Sequence, residues 1–224
     1  MTQRDTGRSH ESGFADRLWA RTEPLHRQAE RSGIFQALLR GQASPRAYAL
    51  LLRNLLPVYE ALERGLDRRA GSAIVGPLAR PEVFRASALR ADLAHLDGAA
   101  LPLLGSGQRY AERIDEAARN GGALLVAHAY VRYLGDLNGG QILKRLLGRH
   151  LGLGPGSLAF YDFPCADASV LAADYRVAID AVGAAIDPVE PVIEEACSAF
   201  RLTIALSEEV CSEALRMGLL VPSV

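Results

Sequence analysis

The stretch from Leu124 to Leu147, LLVAHAYVRYLGDLNGGQILKRLL, constrains this chain more than any other. Apolar residues recur at Leu124, Ala127, Val131, Leu134 and Ile142, close to the 3.6-residue period of a helix. Gly135, Gly139 and Gly140 interrupt that pattern within six residues. A glycine in a helix interior costs about 1 kcal/mol relative to alanine, so such a cluster needs a compensating reason. Gly135 and Gly139 share one helical face, which therefore carries no side chains, and the cluster also permits a kink. Two readings follow: another helix packs closely on the bare backbone, or a large flat ligand lies against it. Arg132 and Asp136, spaced i, i+4 beside the bare face, can pair with each other. Charge next to a purely packed contact is unusual and favours the ligand.

The 224 residues suffice for one large domain, and 49% hydrophobic content can fill a substantial core. A net charge of −1 gives no footprint for nucleic acid. Of the 25 basic residues only Lys144 is a lysine, so an anchor for a carboxylate ligand is expected to be arginine, whose fork suits that group. Cys165, Cys197 and Cys211 show no metal spacing. Cys197 and Cys211, fourteen residues apart on one expected helix, would be about 21 Å apart and unable to pair. Free thiols, a polar N-terminus without a signal-peptide core and no apolar run of membrane-spanning length together predict a soluble cytoplasmic protein with no membrane anchor.

Along the chain, residues 1–12 read as a disordered polar tail, 13–217 as the folded domain and 218–224 as a short C-terminal tail. Helices are expected over about 14–32, 45–70, 82–96, 109–119, 124–147, 168–186 and 189–217. Ser44-Pro45 reads as an N-cap followed by proline at the first helical position. No strand, repeat or linker stands out, and the expected architecture is an all-α bundle with any ligand between facing helices.

His26 is the first chemical candidate, on an amphipathic helix with Glu30 one turn on. A lone helical histidine is more often a surface or satisfied residue, but it is also a common axial ligand of heme iron. None of the five histidines has zinc-like spacing, and His128 reads as structural.

The run AHAYVRYLGDLNGGQ resembles the distal-helix signature of the heme oxygenase family, and EPLHRQAE at 23–30 resembles its proximal-histidine segment. LAFYDFP at 158–164 and the tail VIEEACSAFRLTIALSEEV follow the family's order, so the resemblance covers roughly residues 14 to 215. It implies a single-domain all-α bundle with heme sandwiched between a proximal and a kinked distal helix. It implies oxidative cleavage of heme to biliverdin, CO and free iron, with heme as both substrate and cofactor, O₂, and electrons from a reductase or ferredoxin. The chain is expected to be a monomer.

The resemblance assigns His26 as the proximal ligand of the heme iron and Glu30 as the residue orienting it. Gly135, Gly139 and Gly140 lie against the heme. Asp136 orders distal water, supported by Tyr59 and Arg132, while Tyr130 is mainly structural. Tyr175 and Arg176 match the pair near the heme propionates. Two family lysine positions are occupied here by Trp19 and Ala172, which leaves open the biliverdin isomer formed. Arg17 is the expected substitute cation, with Arg21 as an alternative. A heme carrier without turnover and a ligand-free helical scaffold are the other function classes.

Overall fold

A computed structural model describes residues 13–119, 121–163 and 167–220. The expected tail at 1–12, Cys165 and residues 221–224 lie outside that range. Among the described residues the chain is helical, with no strand beyond one isolated antiparallel bridge between Ala43 and Leu220. Helix α1 spans Phe14–Glu30, α2 Gly33–Leu39, α3 Pro45–Asp67, α4 Ala86–His95 and α5 Gly105–Ala117. The interrupted segment consists of α6 (Leu125–Ala129), a π-helical turn (Tyr130–Leu134), α7 (Gly135–Asn138) and α8 (Gly140–Leu151). Then come α9 (Ala168–Gly183) and α10 (Glu190–Arg216). No described helix is long and apolar enough to cross a membrane.

Helix α3 is the axis of the bundle. The Ser44 hydroxyl accepts from the Ala47 amide at 3.2 Å and Pro45 starts the helix, as expected from the sequence. Its 23 residues span about 35 Å. Tyr48, Leu51, Leu55, Tyr59 and Leu62 are all buried, because α4, α5 and α10 pack around it. Helix α10 in turn lies along α1 and α2.

Two departures from the expected elements have the same cause. Helix α2, too short to show a period and opening on a glycine, falls in the gap between the helices expected over 14–32 and 45–70. Gly33 has φ +52°, and a Cβ there would sit 2.3 Å from the Ser207 carbonyl oxygen of α10. Only glycine permits both the left-handed turn and that approach. Likewise α5 begins at Gly105, four residues before the expected Arg109. A Cβ on Gly107 would meet the Asn54 carbonyl oxygen at 2.7 Å, and the Glu209 carboxylate of α10 caps the Ser106 amide at 2.6 Å. A tertiary cap and a close helix contact override poor local propensity.

A buried polar cluster joins α5, α6 and α10. His128 is fully buried, and its Nε2 lies 2.9 Å from Glu195 Oε1. Arg113 donates to the same carboxylate through Nε at 2.9 Å and through Nη2. Burial opposes the Glu195 charge, but the hydrogen bonds from His128 and Arg113 prevail and hold its pKa down at about 2. Burial lowers the pKa of His128 as well, so His128 is the neutral donor and Arg113 carries the counter-charge. A depressed carboxylate contributes stability that is complete above its ordinary pKa of 4.5 and lost as pH falls through about 2. Replacing Glu195 with alanine strips a buried cluster of its anion. We expect a loss of about 1.5–3 kcal/mol at pH 7, the scale of hydrogen bonds to a charged group, and a smaller loss near pH 3, measured by urea denaturation of the apoprotein at both pH values.

Candidate functional site

A cleft opens between α1 on one side and the interrupted segment on the other. It consists of two adjoining hollows of about 150 and 350 Å³, both bordered by His26, Val131, Gly135, Gly139 and Phe200. The inner hollow is walled by Phe35, Leu39, Leu143, Phe160 and Tyr161. Apolar walls with a few convergent polar groups describe a small-molecule site. A hollow of about 590 Å³ lies elsewhere, at the C-terminal ends of α3 and α5. It lacks that character: Arg64, Arg68, Arg69 and Arg119 rim it, and Arg69 is occupied with the Ala118 and Arg119 carbonyls that end α5.

The glycine cluster divides by function. A Cβ on Gly140 would strike the Tyr161 ring at 2.8 Å, so Gly140 serves packing. Tyr161 is itself held there because the buried Asp92 carboxylate of α4 accepts from the Ala159 and Phe160 amides at 2.8 and 2.9 Å. Gly135 differs. A Cβ there would meet nothing within 4 Å, and its φ of −60° suits any residue. Gly139 would meet only the Gly135 carbonyl oxygen, at 3.3 Å. Helix packing therefore does not account for Gly135; the bare backbone faces open cleft. The expected kink also has a second component, the π-helical turn at Tyr130–Leu134 just before the glycines, where a wider turn interrupts the α-helical ladder.

Behind the bare face lies a hydrogen-bonded core. The buried Arg132 donates from Nε to the Tyr59 hydroxyl at 3.0 Å and from Nη1 to Thr203 Oγ1 at 3.2 Å. The Tyr59 hydroxyl donates to Asp136 Oδ2 at 2.5 Å, while Arg132 Nη2 stands 3.7 Å from Oδ1. Asp136 is 4% exposed, on the cleft wall. Burial pushes its carboxyl up to about 6, against the opposing pull of Arg132 and the Tyr59 hydrogen bond. Tyr59 itself is fully buried and reaches the cleft through Asp136.

Across the cleft, the His26 imidazole stands edge-on between Trp19 and Phe200, with ring centroids at 5.5 and 5.7 Å. Its Nδ1 is 3.8 Å from Glu30 Oε1, too long for a hydrogen bond. Among the described residues no hydrogen bond engages Nε2. Arg176 rims the outer hollow and pairs with Asp16 of α1. Tyr130 borders the same hollow, its hydroxyl 3.4 Å from Thr22 Oγ1.

Two expected residues fall outside the cleft. Tyr175 is buried in the core, donates to the Leu78 carbonyl at 3.1 Å and packs edge-on to Tyr133. Neighbouring helical residues point about 100° apart, and the packing of α9 turns Tyr175 into the core while Arg176 rims the cleft. Arg17 pairs with Glu190 at 2.8 Å and, with Arg21, borders a separate hollow between α1 and α10. It lies two residues from Trp19, on another face of α1. Conversely, Phe200 and Thr203 of α10 enter the site although no motif singled them out; their i, i+3 spacing on a shared helical face was the available signal.

The heme oxygenase family model matches residues 12–209. Human heme oxygenase 1 is 37% identical over 206 residues, covering 88% of this chain and 71% of that protein. The crystal structure of heme oxygenase-1 from the cyanobacterium Synechocystis in complex with heme superposes with a TM-score of 0.85 at 31% identity, covering 92% of this chain and 96% of that one. The heme oxygenase of Leptospira interrogans gives a TM-score of 0.82 at 32% identity, covering 88% and 100%.

Two outcomes follow from the geometry. Gly135→Ala adds helix propensity without a clash, so the apoprotein should gain about 0.5–1 kcal/mol, while the methyl group intrudes on the cleft and weakens ligand binding. Thermal melting paired with a ligand titration checks both halves; loss of stability would return Gly135 to a packing role. For Asp136, whose carboxyl is raised above its ordinary 3.8, the stability it contributes is complete below about pH 4 and lost as pH rises through about 6. Asp136→Asn should remove roughly 2–3 kcal/mol of pH dependence between those values, read from apoprotein denaturation at pH 4 and pH 7.

Proposed function

This chain belongs to the heme oxygenase family, and on that premise we propose that the cleft between α1 and the interrupted segment is where it cleaves heme to biliverdin, CO and iron. The observation that carries this placement is Gly135: a helical glycine whose Cβ would meet nothing within 4 Å, lining the same cleft as His26. Heme, when bound, supplies the iron that activates O₂ and the macrocycle that is cut. The residues present suit it, with apolar walls for a flat ring, a nitrogen donor on one side and bare backbone on the other.

In this reading His26 would hold the heme iron, and Trp19 and Phe200 fix the plane of its imidazole. Glu30, with Oε1 3.8 Å from Nδ1, is placed to bias that nitrogen through its charge. Gly135 and Gly139 let the distal backbone come close to the macrocycle, and Gly140 seats that backbone on Tyr161. Asp136 presents its carboxyl to the cleft, where it orders water and passes protons. Tyr59 and Arg132 hold that carboxyl in place from behind. A group titrating near the working pH is suited to both taking and giving a proton. Arg176 is the cation for a heme propionate. We further read the chain as a monomer of the cytoplasm that takes electrons from a reductase or ferredoxin. Cys197 and Cys211 are free thiols, in keeping with a reducing compartment.

Hemin plus a reductant tests the function directly. An oxygenase gains a Soret band that then decays into bile-pigment absorption. A persistent Soret band would make the chain a carrier, and none at all would remove the site.

His26→Ala should abolish the histidine-ligated spectrum while the apolar walls still take up hemin, and added imidazole should restore that spectrum. An unchanged ferric spectrum would move the iron ligand elsewhere. Asp136→Ala should leave hemin binding intact, since the carboxylate is not needed for it, yet cut biliverdin formation by about 10²–10⁴-fold and raise peroxidation of a phenol dye. Full biliverdin yield from this variant would sink the role given to Asp136.

A further inference from the structure

The outer hollow has an uneven rim. On α1 it is bordered by Trp19, the only tryptophan in the chain and 47% exposed. On α8 it is bordered by Ile142, 53% exposed. Both are large apolar side chains left in water on opposite walls of one opening, and burying such surface is the main source of binding free energy. Among the described residues the rim has one cation, Arg176. Neighbouring arginines do not add to it. Arg17 and Arg21 border a different hollow, each paired with a carboxylate of α10. Ala172, one turn before Arg176 on α9, is buried and uncharged. Arg176 is itself paired with Asp16, and both side chains are about half exposed, the kind of ion pair that a competing carboxylate exchanges readily.

This inference rests on heme as the ligand. Heme carries two carboxylates on one edge, and this rim meets that edge with a single guanidinium beside an indole. We propose that the site recognises one carboxylate and not two. Arg176 exchanges Asp16 for one propionate, Trp19 and Ile142 cover the adjoining rim of the macrocycle, and the second propionate stays in solvent. Trp19 is thus a specificity-determining residue: it gives the α1 side of the rim an uncharged indole that cannot pair with a carboxylate, and its contact with the imidazole of His26 at 5.5 Å couples the rim to the ligand below. A porphyrin with one free carboxylate is then as good a ligand as one with two.

The test uses diamagnetic gallium(III) protoporphyrin IX with its monomethyl and dimethyl esters, titrated by absorbance into the wild-type protein, Trp19→Lys and Arg176→Ala. For the wild type the diacid and the monoester should bind within about twofold of each other, and the diester about fivefold more weakly, the scale of one exposed ion pair. Trp19→Lys should bind the diacid about fivefold more tightly than the monoester. Arg176→Ala should bind all three alike. In the wild type the lone indole N–H resonance should move far outside its linewidth on saturation with the gallium diacid, because the ring lies at the macrocycle edge. A wild-type preference for diacid over monoester as large as that for monoester over diester would overturn the proposal, by showing that a second cation reads the second carboxylate. An unmoved indole resonance in the saturated complex would overturn it too. Absence of any absorbance change with all three porphyrins would overturn the heme reading itself, and this inference with it.

Discussion

The Arg132 guanidinium is the charge around which the rest of the site is arranged. It is 6% exposed, and an unpaired charge at that depth costs several kcal/mol. Its partners come from three elements: Tyr59 from α3, Thr203 from α10 and Asp136 from the next turn of its own helix. Burial works against its charge, but Tyr59 and Asp136 outweigh it and hold the proton more firmly than usual. The distal helix is therefore pinned from behind by charge and hydrogen bonds. That pinning is what allows its front to be bare: a segment with three glycines and a π-helical turn would not hold its course on propensity alone.

The two walls of the cleft are held by different forces. The distal wall depends on directional bonds: Arg132 and Tyr59 behind it, Asp92 fixing the amides of 159–160, and Tyr161 lodged against Gly140. The proximal wall depends on packing, with His26 flanked edge-on by Trp19 and Phe200 and no hydrogen bond to Glu30. Directional bonds fix where the Asp136 carboxyl stands on that wall. Packing fixes the plane of the imidazole, and among the described residues no hydrogen bond engages its Nε2.

The sequence made the distal segment legible because its signal is a local contradiction: a helical period broken by glycines, with an ion pair alongside. Gly135, Asp136 and Arg132 carry that signal on consecutive turns. The Ser44-Pro45 start of α3 was equally local. What stayed illegible is tertiary. Helix α2 depends on Gly33 meeting the backbone of α10, and the early start of α5 depends on a cap from Glu209. Phe200 and Thr203 join the site only because α10 crosses behind the cleft. Arg17 lies outside the cleft for a reason helical phase does contain, two residues from Trp19 and on another face of α1, whereas the place of Tyr175 in the core is set by how α9 packs.

Asp136 shows why this site carries a stability cost. A fully ionised carboxylate against Arg132 would make the more favourable pair, and a fully protonated one would suit the dry cleft. The structure takes neither extreme. Burial weakens the acid, while Arg132 and the Tyr59 hydroxyl keep it from becoming a permanent donor, and the result is a group that titrates at about 6. Near neutral pH the apoprotein is therefore less stable than it would be with a carboxylate of ordinary pKa, because charge is forced onto a buried oxygen. The same imbalance lets that oxygen take up and release a proton with little driving force in either direction. Moving Asp136 into solvent would relieve the cost and return the carboxyl toward its ordinary range. Removing Arg132 would instead let the carboxyl protonate outright, so both charges must stay buried together.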